Sequence, residues 1–313
     1  MTDLDRSSLA DRPGPRRTGP GRLRSFAASH LRRSEPGLTA FVLAGGGTRG
    51  AVQVGMLAEL VDRGIRADRV YGASVGAVNA GVYSAEPTVD GMKKLEDVWV
   101  NLRPDDIFPK TRVHGPWMFF QQRQSVYTNS GLRKVLESGI SVDRIEDAVI
   151  PLEVVTTSLV DGRERWISTG PIVDAVLASA AIPGIFPPVE IDGELLIDGG
   201  VANNVPIGRA LAAGATKIYV LLCGPIQHTP RIGKRPIEAV ISAFFTSVHA
   251  RFSRELEEMP SGVELFVFSG RERPTEDFRD FGSSPAMVEA GRQEVRAILD
   301  GLPVPSQPGD GVG

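Results

Sequence analysis

Short apolar runs broken by glycine-rich turns alternate with stretches of helical periodicity along the first third of this chain. Residues 38–44 form an apolar run bounded by glycines, which predicts a buried strand. A turn follows at Gly45, Gly46, Gly47, Thr48, Arg49 and Gly50. Residues 51–63 then place Val54, Leu57, Ala58 and Val61 on one face of a helix. A second strand is predicted at 69–71, running into Gly72, Ala73, Ser74, Val75 and Gly76 and a further helix to about Ser84. Strand, glycine turn and helix thus occur twice in succession, the pattern of an α/β domain with parallel strands.

Farther along, the β-branched stretch 152–157 reads as a strand that pairs with 163–168 across Asp161 and Gly162. Residues 171–181 predict a helix. The runs 189–191 and 195–197 flank Asp192 and Gly193, a strong hairpin signal. A helix at 206–213, strands at 217–222 and 263–268, and a last helix at about 285–299 complete the pattern. Residues 236–257 carry Ile237, Val240, Ile241, Phe244, Phe245, Val248 and Phe252 at helical spacing. Such a stripe is ordinarily core, with a membrane-resting or dimer face as the alternative.

The termini differ in character. Residues 1–37 read as a flexible leader, interrupted by prolines and dominated by Arg12, Arg16, Arg17, Arg22, Arg24, Arg32 and Arg33. It is a solvated tail, or else a weak electrostatic tether to anionic lipid. The expected organisation is this leader, one domain over 38–300 and a loose tail at 301–313.

Composition narrows the function classes. With 42% hydrophobic and 23% charged residues the chain is an ordinary globular protein. Its formal net charge of -3 supplies no basic field for nucleic acid. Cys223 is the single cysteine, so there is neither an internal disulfide nor a cysteine-based zinc site. No run meets the length and hydrophobicity of a bilayer span, and no secretory h-region opens the chain, so the expected location is cytoplasmic, with peripheral membrane contact as an option. No metal or cofactor is expected; the oligomeric state is left open.

Chemistry concentrates in three motifs. Gly72, Ala73, Ser74, Val75 and Gly76 fit G-x-S-x-G between a strand and a helix. That turn needs small residues so that backbones can pass while a strained serine presents its hydroxyl at a helix N-terminus. The loop Gly45–Gly50 fits both a dinucleotide fingerprint and an oxyanion hole, or glycines that serve close packing alone. A nucleotide site wants an acid at the end of the second strand, whereas Asp68 precedes that strand. Asp198, Gly199 and Gly200 follow an apolar strand, placing a carboxylate where it can meet a helix N-terminus; alone, that triplet is also an ordinary turn.

The order of these motifs, with the blocks ASAAIPGIFPP at 178–188 and VANNVP at 201–206, resembles the patatin-like phospholipases over about 41–222. The resemblance implies a three-layer α/β/α sandwich with a mainly parallel sheet. It also implies Ser74 as nucleophile, Asp198 as general base, and an oxyanion hole from Gly45, Gly46 and Gly47. Thr48, Arg49, Gly50, Gly72, Gly76, Gly199 and Gly200 support these groups. The implied partner is a lipid or ester substrate, and the implied activity is cleavage of carboxylic esters of phospholipid or lysophospholipid type. An acyltransferase sharing the acyl-enzyme, and a non-catalytic regulator on the same fold, are the alternatives. A Ser–Asp–His triad would draw on His228 or His249, which follow Asp198; His30 and His114 have no such placement. Residues 104–124, with Ile107, Phe108, Trp117, Met118, Phe119 and Phe120, read as a mobile cap or as a core insertion.

Overall fold

A computed structural model of the chain describes residues 37–109, 125–226, 251–270 and 279–301. The leader, most of the 104–124 segment, most of the 236–257 stripe, all four histidines and the tail beyond 301 lie outside the described residues.

Strand β1 (Leu38–Leu43) leads through the glycine loop into α1 (Ala51–Asp62), and β2 (Arg69–Ala73) leads through Ser74 into α2 (Val75–Ala85). Three helices follow: α3 (Val89–Asn101), the short α4 (Pro104–Ile107) and α5 (Ser130–Gly139). Then come β3 (Leu152–Ser158), β4 (Glu164–Ile167), α6 (Ile172–Ser179), β5 (Val189–Ile191) and β6 (Glu194–Asp198). The short α7 (Gly200–Asn203), α8 (Ile207–Ala212), β7 (Ala215–Leu221), β8 (Glu264–Phe268) and α9 (Ser284–Leu299) follow. Every strand expected from the sequence is present. The Asp192–Gly193 hairpin takes positive φ at both residues, 53° and 79°, as that tight turn demands.

The strands form one sheet in the order β5-β6-β3-β2-β1-β7-β8, with β4 also paired to β3. β3, β2, β1, β7 and β8 run parallel, while β4, β5 and β6 add antiparallel pairs. Alternation along the central strands divides the core. Phe41, Leu43, Tyr219 and Leu221 face one layer with α1, α2, α3, α6 and α9. Ala40, Val42, Ile218 and Val220 face a second with Ile207 and Ala210 of α8 and Phe252. The architecture is therefore a three-layer α/β/α sandwich with a mainly parallel sheet.

Two differences from the sequence reading have physical causes. The expected one-sided stripe of α1 is instead burial all round, from Ala51 to Val61, including Gln53 and Glu59. α1 is roofed by α9: a Cβ on Gly55 would come within 1.8 Å of the Val288 carbonyl oxygen, and one on Gly291 within 2.1 Å of that of Val52. The two helices touch backbone to backbone, which only glycine permits. α3 and α5, with the short α4 and α7, are helices the periodicity did not yield. α3 is amphipathic, burying Met92, Leu95 and Trp99 among charged neighbours, and Thr88 caps it by accepting the Gly91 N–H at 3.0 Å.

Candidate active site

The register of β3 explains how two residues 124 positions apart meet. β2 runs along one edge of β3 as far as Ala73, opposite Val155. β4 occupies the other edge from Val154 to Thr157, so β6, paired with Thr156 to Ser158, must share the edge used by β2. β2 and β6 thus approach head to head. The chain turns away at Ser74 just past the first, and Asp198 ends the second opposite Thr156.

Ser74 sits at φ 54° and ψ −126°, a conformation that an L-residue holds only when its surroundings impose it. What imposes it is visible. The Ser74 N–H donates to Ser179 Oγ at 3.0 Å, and Ser179 Oγ–H donates to the Val155 carbonyl at 2.6 Å. The Ser179 carbonyl accepts the Gly199 N–H at 3.1 Å. One small residue of α6 therefore ties the serine turn, β3 and the segment after Asp198 together. Gly76 lets α2 start this close to the sheet, since a Cβ there would lie 2.2 Å from the Leu43 carbonyl oxygen.

Ser74 Oγ donates to Asp198 Oδ2 at 2.5 Å, and Asp198 Oδ1 accepts the Gly200 N–H at 2.7 Å. Asp198 is 2% exposed and Ser74 6%. Burial raises the Asp198 carboxyl from 3.8 to about 7, against the opposing pull of the hydrogen bonds from Ser74 and Gly200. The fold thereby makes the carboxylate a stronger base than an exposed aspartate and aims it at the hydroxyl.

The glycine loop lies across from this pair. Gly45 must be glycine: a Cβ would fall 2.3 Å from Asn204 Oδ1 and 3.0 Å from the Ser74 Cβ. Its N–H donates to the Asn204 carbonyl at 3.1 Å, and Asn204 Nδ2 donates back to the Gly45 carbonyl at 3.3 Å. The Gly45 N–H expected to face an oxyanion is thus engaged with Asn204 in this structure. Among the described residues no acceptor takes the N–H of Gly46 or Gly47. Arg49 turns back on the loop, its Nε donating to the Gly46 carbonyl at 3.3 Å, and Thr48 is buried beside the cleft. Gly50, Gly72, Gly199 and Gly200 all sit against neighbouring atoms that leave no room for a Cβ.

Sequence reasoning missed the polar residues that hold this loop. Gln53 Nε2 donates to the carbonyls of Ala44 (2.8 Å) and Leu221 (2.9 Å). Asn79 Nδ2 donates to Gln53 Oε1 and to the Gly50 carbonyl, and Trp99 Nε1 donates to Asn79 Oδ1 at 2.9 Å. Thr157 Oγ1 donates to the Asp198 carbonyl at 2.8 Å. The available signal was a lone amide in each of two apolar helices, Gln53 in α1 and Asn79 in α2. A buried amide needs partners, and here these are the loop carbonyls.

A cavity of about 250 Å³ opens beside Ser74. It follows Val75, Val78 and Val82 along α2 for about 10 Å and is walled by Leu95 and Trp99 of α3, Leu132 and Leu136 of α5, and Phe108, Phe186 and Phe281. Phe108 stacks on Phe186 with centroids 5.6 Å apart, so this start of the expected cap belongs to the wall itself. The lining is aliphatic and aromatic apart from Thr48, Ser74, Ser138 and Lys94. Lys94 stands at the far end from Ser74, its ammonium 2.9 Å from Glu86. Among the described residues no group of three His, Cys, Asp or Glu side chains could hold a metal ion, and no helix is long and apolar enough to cross a membrane.

The α/β sandwich thus brings together a strained serine, a buried carboxylate and an apolar cavity. Residues 41–211 match the family described as patatin-like phospholipase, and the chain belongs to that family. It is 30% identical to patatin-like phospholipase domain-containing protein 6 of Mus musculus over 204 residues, 64% of this chain and 15% of that protein. It is 31% identical to an NTE family protein of Mycobacterium tuberculosis (strain ATCC 25618 / H37Rv) over 192 residues, 60% of this chain and 50% of that one. The matches thus span at most half the length of these relatives. Among solved structures, VipD from Legionella pneumophila aligns over 85% of this chain and 67% of its own, with 16% identity and a TM-score of 0.48.

Proposed function

We propose that the chain is a lipid acyl hydrolase acting through a Ser74–Asp198 dyad. The observation that carries this reading is the 2.5 Å contact from the strained Ser74 to a buried carboxylate, beside an apolar cavity. Asp198 Oδ2 accepts the Ser74 proton as Oγ attacks the ester carbonyl, and the N–H groups of Gly46 and Gly47 stabilise the oxyanion. The proton passes to the leaving alcohol oxygen as the ester C–O bond breaks. Water, losing a proton to Asp198, then attacks the acyl-enzyme and releases the fatty acid while the serine hydroxyl is restored. The cavity accommodates the acyl chain, and the start of α2 adds a favourable field at the oxyanion.

Family membership supports a lipid ester as substrate, as do relatives whose names are phospholipase and, for that of Mycosarcoma maydis, lysophospholipase. Direct contact between Ser74 and Asp198 supports a dyad, because both carboxylate oxygens already have donors without a histidine. The test is intact-mass spectrometry after fluorophosphonate treatment, with peptide mapping. Wild type is expected to carry one adduct on Ser74, Asp198→Asn to react far more slowly, and His228→Ala and His249→Ala to react normally. Loss of labelling in either histidine variant would replace the dyad with a triad. An unlabelled but folded wild type would favour the non-catalytic alternative, and product analysis with added alcohol separates hydrolysis from acyl transfer.

A further inference from the structure

Leu159, Val160 and Leu195 form an exposed aliphatic rim, 50%, 80% and 42% accessible, at the end of the sheet that carries Ser74. From Thr156, level with Asp198, β3 continues beyond the catalytic pair, so Leu159 stands about 10 Å past it. The Leu159 N–H donates to the Leu195 carbonyl at 3.0 Å, and the register sets these two residues opposite each other. Their side chains therefore share a face. Two hairpin tips, β3–β4 and β5–β6, project together in this direction.

The charges around the rim are largely matched within it. Asp161 accepts the Arg163 N–H and an Arg165 guanidinium N–H, at 3.0 and 3.1 Å. Glu194 is held by Ser158 and by Arg165. Those bonds keep both carboxyls below their ordinary range. Arg163, 82% exposed and 4.0 Å from Asp161, keeps guanidinium donors turned outward beside the apolar tip. Glu190 and Asp192 add exposed carboxylates on the neighbouring hairpin. An aliphatic tip bordered by a cation and by anions matches a zwitterionic phospholipid surface: methyl groups enter the acyl boundary, Arg163 meets phosphate, and the carboxylates meet the headgroup ammonium.

We propose that this rim seats the catalytic end of the molecule on a phospholipid surface. The proposal rests on the acyl hydrolase reading, because an ester anchored in a bilayer reaches Ser74 only if that end of the sheet faces the lipid. The test compares wild type with Leu159→Ser/Val160→Ser, exposed changes of little cost to folding. Co-sedimentation with neutral phosphatidylcholine vesicles, turnover of phospholipid in those vesicles and turnover of a short soluble ester are measured together, with light scattering for mass. Vesicle binding and vesicle turnover are expected to fall roughly tenfold or more, with soluble-ester turnover within about twofold of wild type. Unchanged vesicle binding overturns the proposal, as does a parallel loss on the soluble ester, which marks the rim as structural. A wild-type dimer that the variant dissolves assigns the rim to a second copy instead. Wild type that binds vesicles through the rim but turns over neither substrate defeats the hydrolase reading while leaving the docking surface standing.

Discussion

Replacing Asp198 with asparagine separates what the carboxylate does for chemistry from what it costs the fold. The two side chains are nearly isosteric. Asn Oδ1 can still accept the Gly200 N–H, and Nδ2 can donate to Ser74 Oγ where Oδ2 accepted from it. The native carboxyl is raised from 3.8 to about 7 by burial, so its ionised form carries a penalty of about 4 kcal/mol. Because the folded-state value is raised, the associated stability is fully present below about pH 4 and is lost as pH rises through 7. Between pH 5 and pH 8, wild type should therefore lose roughly 2–3 kcal/mol relative to Asp198→Asn, which does not titrate there. On the proposed dyad, the wild-type rate should climb over the same range, since Asp198 would have to be ionised to accept the Ser74 proton. At pH 5 it should stand near one hundredth of the plateau, about tenfold per pH unit below 7. Urea unfolding of both proteins at the two pH values, with a pH–rate profile on a soluble ester, checks both halves. A stability difference that does not change with pH, beside a flat wild-type rate, would refute the account of Asp198 as a buried base.

Gly45→Ala should abolish turnover and destabilise the fold by roughly 1–3 kcal/mol, because its methyl would collide with Asn204 Oδ1 and crowd the Ser74 Cβ; urea unfolding and ester turnover read the two effects, and wild-type activity would contradict the tight packing of the loop. Val78→Phe should narrow the cavity beside α2, lowering kcat/KM for long acyl esters at least tenfold while sparing acetyl esters, so equal loss on both would place the acyl chain elsewhere.

The strand–turn–helix units around Ser74 and the glycine loop were legible because their chemistry is local: an apolar run, glycines at fixed offsets, then a helical stripe. The meeting of Ser74 with Asp198 was reached through family resemblance. Spacing alone could not show that β6 enters along the edge of β3 where β2 leaves off. The engagement of Gly45 was hidden for a related reason, since it depends on a backbone carbonyl of Asn204, and any residue supplies a carbonyl. α3 and α5 escaped notice because charged residues interrupt their apolar positions. The basicity of Asp198 could not be read from its identity, as it comes from burial by the whole fold.

The glycine contact between α1 and α9 also sets an order of assembly. α1 leaves the ribosome ahead of α9, immediately after the loop that it anchors, and the surface meant for Val288 and Gly291 stays uncovered until residues 284–299 follow. A nascent chain thus holds both Ser74 and Asp198 well before the helix that backs the glycine loop exists. On the hydrolase reading, competence to cut lipid waits on α9, and a nascent chain halted before residue 284 lacks it.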